Sequence, residues 1–256
     1  MGQFQDVQAF ISEAKRLSQM GELQDLLADG LGALGFKQFA FIHHVPGVDP
    51  QANVVRLSNY PDSWIDVIRK RRYFSDDPIH AACERSAVAF TWSKLDEIIT
   101  LNRRQTEIMT AWGDHGFGDS FTVPIHIPGE AVGSCSMGVR AGQALPEDCL
   151  PAAQYMSSFA FEAARRIARL NHGGGLATAP RTPDLSQRQF DCLVLVARGK
   201  SDWDIAQILG ISHQTVHQHV EEAKRRYGVA SRTQLVVQAL YSSQLAFADI
   251  IDRNQR

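Results

Sequence analysis

Apolar residues along the 256-residue chain change their spacing several times, and each change predicts an element. From Asp6 to Leu34 the spacing is helical and predicts two helices ending at Gly35. FKQFAFIHHVP and ANVVRLSNYP predict strands, as do SFTVPIHIP and AVGSCSMGVRAG, whose separating Pro128-Gly129 predicts a hairpin turn. Asp62 to Arg72 and Asp96 to His115 return to helical spacing. CLPAAQYMSSFAFEAARRIARL predicts a long amphipathic helix, either a core helix of its own domain or a seam between two copies of the chain. Strands in hairpins with helices around them predict an α/β sandwich, an antiparallel sheet flanked by helices. HGGGLATAPRTP, residues 172–183, then combines three glycines with two prolines and predicts a flexible linker.

Beyond the linker the pattern is helical throughout, and DWDIAQILGISHQTVHQHV is its most informative stretch. Ile205, Ile208 and Leu209 follow the spacing of a helix that buries one face, and Ser201 with Asp204 three residues on predicts its N-cap. Gly210 stands where the chain must reverse through a left-handed residue. Ser212 predicts a second N-cap, and Val216, Val220, Ala223 and Tyr227 form one stripe on the helix that follows. Two short helices joined by a tight glycine turn predict a helix-turn-helix, which lays its second helix in a DNA major groove. His213, Gln214, His217, Gln218, Glu221, Lys224 and Arg225 lie off the stripe. Gln and Glu match adenine and cytosine edges, while Lys and Arg reach guanine or phosphate. A solvated face of an ordinary helical hairpin would also be polar. His213 and His217 are spaced to share a metal, but no third ligand stands nearby, so no metal site is expected.

Charge adds little to this picture. Between Asp184 and Ser243 seven basic side chains stand against six acidic ones, a net charge of +1. Only Lys224 to Arg226 is locally basic, which favours a dimer whose two modest surfaces add on the DNA. Hydrophobic content of 44% and a net charge of −2 describe an ordinary globular protein. No apolar run reaches membrane-helix length and the N-terminus lacks secretory features, so a cytoplasmic protein with no membrane association is expected. Cys83, Cys135, Cys149 and Cys192 have no paired spacing, which fits reduced thiols.

Catalysis is not expected of the first domain. His43-His44 and Asp76-Asp77 supply groups for a hydrolase, yet the sequence has no HExxH, no G-x-S-x-G, no phosphate loop and no CxxC. Adjacent strand residues His43 and His44 would also point to opposite faces. A binding pocket is the stronger reading. Tyr60 and Trp64 are four apart and share a face if a helix starts near Tyr60; Asp77-Pro78 and Thr91-Trp92 follow. Aromatics at such spacing are often plain core. A buried acid among them needs a donor, which a ligand's amide N–H would supply.

The segment from Leu185 to Leu240 resembles the LuxR-type helix-turn-helix. It carries Leu185-Ser186-x-Arg188, Ala197-x-Gly199-Lys200-Ser201, Ile205-Ala206-x-x-Leu209-Gly210-Ile211-Ser212, Thr215-Val216-x-x-His219, and Gly228-Val229 with Arg232. Gln189 replaces the usual glutamate and Tyr227 the commoner leucine. The resemblance implies a four-helix domain whose third helix, roughly His213 to Tyr227, reads DNA. Ser212 and Thr215 join the polar face above as DNA-binding candidates. Tyr60, Trp64, Asp77-Pro78, Trp92 and Ser136 in turn resemble the autoinducer-binding domain of the same family. The resemblance implies that Trp64 donates to the lactone carbonyl of an acyl-homoserine lactone, Asp77 accepts its amide N–H and Tyr60 donates to its amide carbonyl. It also places Trp92 beside the lactone ring and the Ser136 hydroxyl near the acyl head. Ile68 stands where the family commonly has tyrosine, and Ser120 where glycine is usual. The smaller Ile68 favours a long, branched or aryl acyl group.

The expected protein is an acyl-homoserine-lactone-responsive transcription regulator, not an enzyme. Residues 1–171 would bind the autoinducer, 172–183 would link, 184–245 would bind DNA, and 246–256 would form a tail. It would act as a homodimer on an inverted-repeat operator in double-stranded DNA, with RNA polymerase a further candidate partner and no cofactor beyond the acyl- or aryl-homoserine lactone. The alternative keeps the DNA-binding half in a solo regulator that senses a non-lactone ligand or acts without one.

Overall fold

The computed structural model describes residues 2–45, 55–128, 130–171 and 183–251. The expected linker up to residue 182 and Gly129 of the expected turn therefore lie outside the described residues. The chain divides into two compact units.

The first unit is built on a five-stranded antiparallel sheet in the order β2-β1-β5-β4-β3. Its strands are β1 (Gln38–His43), β2 (Arg56–Ser58), β3 (Phe90–Thr91), β4 (Phe117–Ile125) and β5 (Gly133–Arg140). Side chains alternate between the two faces of a strand, and here the two faces differ sharply. Phe39, Phe41, Leu57, Phe121, Val123, Cys135 and Met137 bury against α1 (Gly2–Ala14), α2 (Met20–Ala33) and α6 (Leu150–Asn171). On α2 the contact is a single row, Leu23, Leu27 and Leu31 at helical spacing, each fully buried and worth roughly 1.5–3 kcal/mol. The inner face of α6 is rich in alanine (Ala153, Ala160, Ala164), which lets its backbone approach the sheet, whereas Tyr155 and Phe159 on its far side are exposed.

The other face of the sheet carries smaller and more polar residues. The register aligns Ser58, Ala40, Ser136 and Thr122 in one row and Arg56, Ile42 and Ser134 in the next. This face is roofed by α3 (Asp62–Arg71), α4 (Pro78–Cys83) and α5 (Arg103–Asp114), with 3-10 turns at Tyr73–Asp76 and Trp92–Glu97. The expected α/β sandwich is the observed one. The helix expected from Asp96 to His115 is shorter: Asn102 caps α5 by accepting from the Gln105 N–H, and the preceding segment is a 3-10 turn. Strand β3 and helix α4, neither expected, are too short to produce a periodic pattern.

Ser120 explains itself in this register. It is buried opposite Gly138, where an added Cβ would stand 2.6 Å from the Ser120 Oγ. The glycine across the strand makes room for a serine where the family usually has glycine.

The second unit is all helical: α7 (Gln187–Ala197), α8 (Asp202–Leu209), α9 (His213–Tyr227), α10 (Arg232–Tyr241) and a single turn α11 (Phe247–Ile250). Ser186 and Gln189 form a reciprocal cap on α7, so glutamine performs the task usually given to glutamate. Ser201 and Asp204 cap α8 in the same way, and Gly210 closes it at φ 64°. Ile205 and Ala206 enter the core with Val216, Val220 and Ala223 of α9, and Leu209 packs against it. Ile208, expected on the buried face, is instead 54% exposed, because α8 is covered on one narrow side only. The expected tail contains α11, tied to α7 where the Arg198 Nε donates to the Asp249 carbonyl at 2.9 Å.

Candidate functional site

Between the polar face of the sheet and its helical roof lies a cavity with about 860 Å³ of empty space, part of it open to solvent. Tyr60, Trp64, Ile68, Asp77, Trp92 and Ser136, the six residues singled out from sequence, all line it. They arrive from separate elements. Tyr60 precedes α3, because Pro61 holds the N-cap; Tyr60 and Trp64 therefore do not share a helix face as expected, yet both line the cavity. Ile68 follows Trp64 by one turn of α3. Arg72 then takes a left-handed conformation, φ 54°, which ends α3 and leads into the turn that delivers Asp77. Trp92 opens the turn after β3, and Ser136 sits mid-strand on β5.

An aromatic wall holds these groups in place. Trp64 packs on Tyr73, Trp112 and Phe117, with ring centroids 6.4, 5.5 and 5.7 Å away. Tyr60 meets Trp112 and Phe117, and Trp92 meets Trp112 at 4.8 Å. Trp112, Tyr73 and Phe117 are not foreseen from sequence. Ile108 and Trp112 are four apart on α5, a spacing that marks a buried face without distinguishing a cavity wall from plain core.

The polar groups fall into two kinds. Trp92 Nε1 donates to Thr122 Oγ1 at 2.8 Å, and Thr122 Oγ1 lies 2.8 Å from Ser136 Oγ, so this chain is already engaged. Among the described residues, no hydrogen bond engages the Trp64 indole N–H or the Tyr60 hydroxyl. Asp77 Oδ1 accepts from the Ile79 N–H at 2.8 Å and caps α4. Burial pushes the Asp77 carboxyl above the usual carboxylate range, although the Ile79 N–H and His80 act the other way. Burial and the neighbouring Asp77 also push the Tyr60 hydroxyl up, keeping it a protonated donor. Two donors with no protein partner among the described residues, and a carboxylate whose remaining lone pairs can still accept, thus line one largely apolar cavity. That arrangement suits a small molecule with an N–H and carbonyl oxygens.

His43 and His44 point to opposite sides, as adjacent strand positions require. His43 packs edge-on against Phe161 of α6, while His44 lines the cavity. His44 Nε2 lies 2.8 Å from Ser134 Oγ, and its ring stacks on His80 at 4.3 Å. Burial, with help from His80 and His43, pushes His44 down to about 3, so the ring is neutral near pH 7.

In the second unit α9 presents Gln214, His217, Gln218, Glu221 and Arg225 to the outside, opposite its buried Val216, Val220 and Ala223. Ser212 and Thr215 cap the helix, Ser212 Oγ accepting from the Thr215 N–H at 3.1 Å. His213 packs near Trp203 of α8, and His217 Nδ1 is 3.5 Å from Asp202 Oδ2. Glu221 Oε1 accepts from Lys224 at 2.8 Å, and Arg225 pairs with Glu222. Arg232 also pairs with Asp202, so that carboxylate ties α8 to both α9 and α10. Tyr227 extends its hydroxyl to Gln244 and Ser242, contacts a leucine could not make.

A family model described as autoinducer binding domain matches residues 19–164, and one described as bacterial regulatory proteins, luxR family, matches residues 183–239. The chain belongs to the LuxR-type regulators, proteins that join an autoinducer-binding domain to a helix-turn-helix. The transcriptional activator protein AhyR of Aeromonas hydrophila is 27% identical over 228 residues, covering 86% of each chain. The crystal structure of Escherichia coli SdiA has a TM-score of 0.69 at 20% identity, covering 95% of this chain and 99% of that one. SdiA in complex with octanoyl-rac-glycerol gives 0.63 at 20% identity, covering 93% and 95%. No described helix is long and apolar enough to cross a membrane.

Proposed function

We propose that the chain is an acyl- or aryl-homoserine-lactone-responsive transcription regulator that binds an inverted-repeat operator as a homodimer. One observation carries the ligand: Tyr60, Trp64 and Asp77 line one apolar cavity with a hydroxyl, an indole N–H and a carboxylate that retains acceptor capacity. In this reading Asp77 accepts the amide N–H, Tyr60 donates to the amide carbonyl and Trp64 to the lactone carbonyl. Trp92, fixed by Thr122, walls the lactone ring, Ser136 lies near the acyl head, and Ile68 leaves room along the chain. Residues 1–171 form the sensing part, 172–183 the linker, 184–245 the DNA-binding part and 246–256 the tail. On DNA, His217 and Glu221 read base edges with Gln214 and Gln218, Lys224 and Arg225 reach phosphates, and Ser212, His213 and Thr215 lie at the helix start nearest the backbone.

The test is native mass spectrometry and thermal melting of the protein with a panel of acyl- and aryl-homoserine lactones. A retained lactone with a raised Tm is expected. A folded protein that ignores the whole panel overturns the lactone reading. A second reading is favoured by the fold neighbour that holds octanoyl-rac-glycerol: a monoacylglycerol also presents hydroxyl and carbonyl groups on an apolar chain. It belongs in the same panel, and its selective binding would make the chain a solo sensor of a non-lactone lipid.

A further inference from the structure

We propose that His44 and Ser134 form a second polar subsite, which recognises an oxygen on the chain of the ligand. This rests on the lactone reading above and narrows it to homoserine lactones with an oxygenated acyl or hydroxylated aryl chain.

The register separates this subsite from the head contacts. Ser136, joined to Thr122 and Trp92, pairs with Ala40 on β1. Ser134 pairs with Ile42 one row further along, and His44 follows on the same face, with its backbone N–H on the Val132 carbonyl. Four residues of strand put the His44 row about 13 Å from the Ala40 row. Ala40, Ile42, His44, Ser134 and Ser136 all line the same cavity, so it has a polar group near each end of this strip.

The pair is also built to stay in place. His80 of α4 stacks nearly parallel on His44, 5° between planes, and is itself 3.5 Å from the Glu84 carboxylate. A neutral imidazole bonded to a hydroxyl has only two arrangements. If Ser134 donates to Nε2, the ring offers Nδ1–H as a donor and Ser134 Oγ keeps a lone pair. If Nε2–H donates to Ser134, the serine O–H is the free donor and Nδ1 the acceptor. Either way the pair presents one donor and one acceptor, the complement of a hydroxyl or carbonyl oxygen. A plain hydrocarbon chain would cover both and leave them dry and unpaired, an unfavourable state for buried polar groups. A purely structural bond between β1 and β5 predicts no effect on ligand choice, and this separates the two roles.

The test compares matched ligands on the full chain by calorimetric titration: cinnamoyl- against 4-hydroxycinnamoyl-homoserine lactone, and octanoyl- against 7-oxo- and 8-hydroxyoctanoyl-homoserine lactone, whose oxygens lie far enough from the amide to reach the His44 row. The wild type is expected to prefer an oxygenated member of at least one set by about tenfold. The preference should fall to within about twofold in His44→Leu and in Ser134→Ala. Should His44→Leu fail to fold, Ser134→Ala decides, since it removes a single oxygen. Equal affinity throughout each set overturns the subsite and leaves the lactone reading standing. A preference that survives Ser134→Ala unchanged overturns the assignment to this pair. If no member binds, the lactone reading itself falls and the subsite with it.

Discussion

In the proposed reading, Asp77 serves the fold and the ligand with one carboxylate. It caps α4 and lines the cavity, and burial holds its pKa above the ordinary value. A raised carboxyl pKa means that the empty folded state disfavours the charge. The stability conferred by the neutral form is complete below the unfolded value and is lost as pH rises through the folded one. At neutral pH the penalty is therefore in force. Asp77→Asn keeps the cap, since asparagine accepts from the Ile79 N–H equally well, and removes the charge. The variant is expected to melt at or above the wild-type Tm at pH 7 without ligand, with the difference shrinking as the pH is lowered. Its lactone affinity should fall about tenfold through loss of a charge-assisted bond. Wild-type affinity should also weaken on acidification. Melting curves and titrations at several pH values check both. A variant less stable at pH 7 with undiminished affinity would show that Asp77 works only as a cap.

At the scale of elements, the outer face of α9 is organised by a pair within the helix and a contact to α8. Glu221 is held by Lys224 and His217 sits near Asp202, so the readout candidates are positioned before any DNA arrives. Removing Glu221 releases the Lys224 ammonium. Glu221→Ala is expected to flatten the preference among operator variants while raising affinity for unrelated DNA, with a salt slope steeper by about one. Binding to a library of sites at two salt concentrations measures this. Uniform weakening across all sequences would remove Glu221 from base readout. The same helix shows what a sequence reveals. Caps at Ser201, Ser212 and Gly210 and the stripe Val216, Val220, Ala223 are local chemistry at helical period, and the amino-acid order alone makes them legible. In the first unit Tyr60, Trp64, Asp77 and Trp92 are legible as a polar and aromatic set, while Ser136, Ile68 and the role of each residue are legible only through resemblance to a family motif. Trp112 and Tyr73 are not, because they meet Trp64 through tertiary packing across α5 and the 3-10 turn. Spacing alone places Tyr60 on α3, because it does not reveal that Pro61 takes the N-cap.

For the whole molecule, the proposed ligand binding and DNA binding are subject to thermodynamic linkage. A ligand that binds only the folded form stabilises it by RT ln(1 + [L]/Kd), about 2.7 kcal/mol at a hundredfold excess over Kd. For a chain of this size that shifts Tm by roughly 5–10 °C. If the lactone also raises operator affinity by some factor, operator DNA must raise lactone affinity by the same factor. With a net charge of only +1 over residues 184–243, the DNA-binding unit has little unspecific attraction to rely on. If two such units pair on one site, as proposed, the ligand gains a second way to act, because DNA binding then depends on the concentration of dimer. We expect operator affinity to rise at least fivefold with saturating lactone at moderate salt and to fall steeply as salt increases. Lactone affinity measured with operator present should rise by an equal factor. Operator titrations with and without lactone, matched by lactone titrations with and without operator, test this directly. Equal operator affinity in both states would mean that the cavity governs the stability of the first unit without controlling DNA binding.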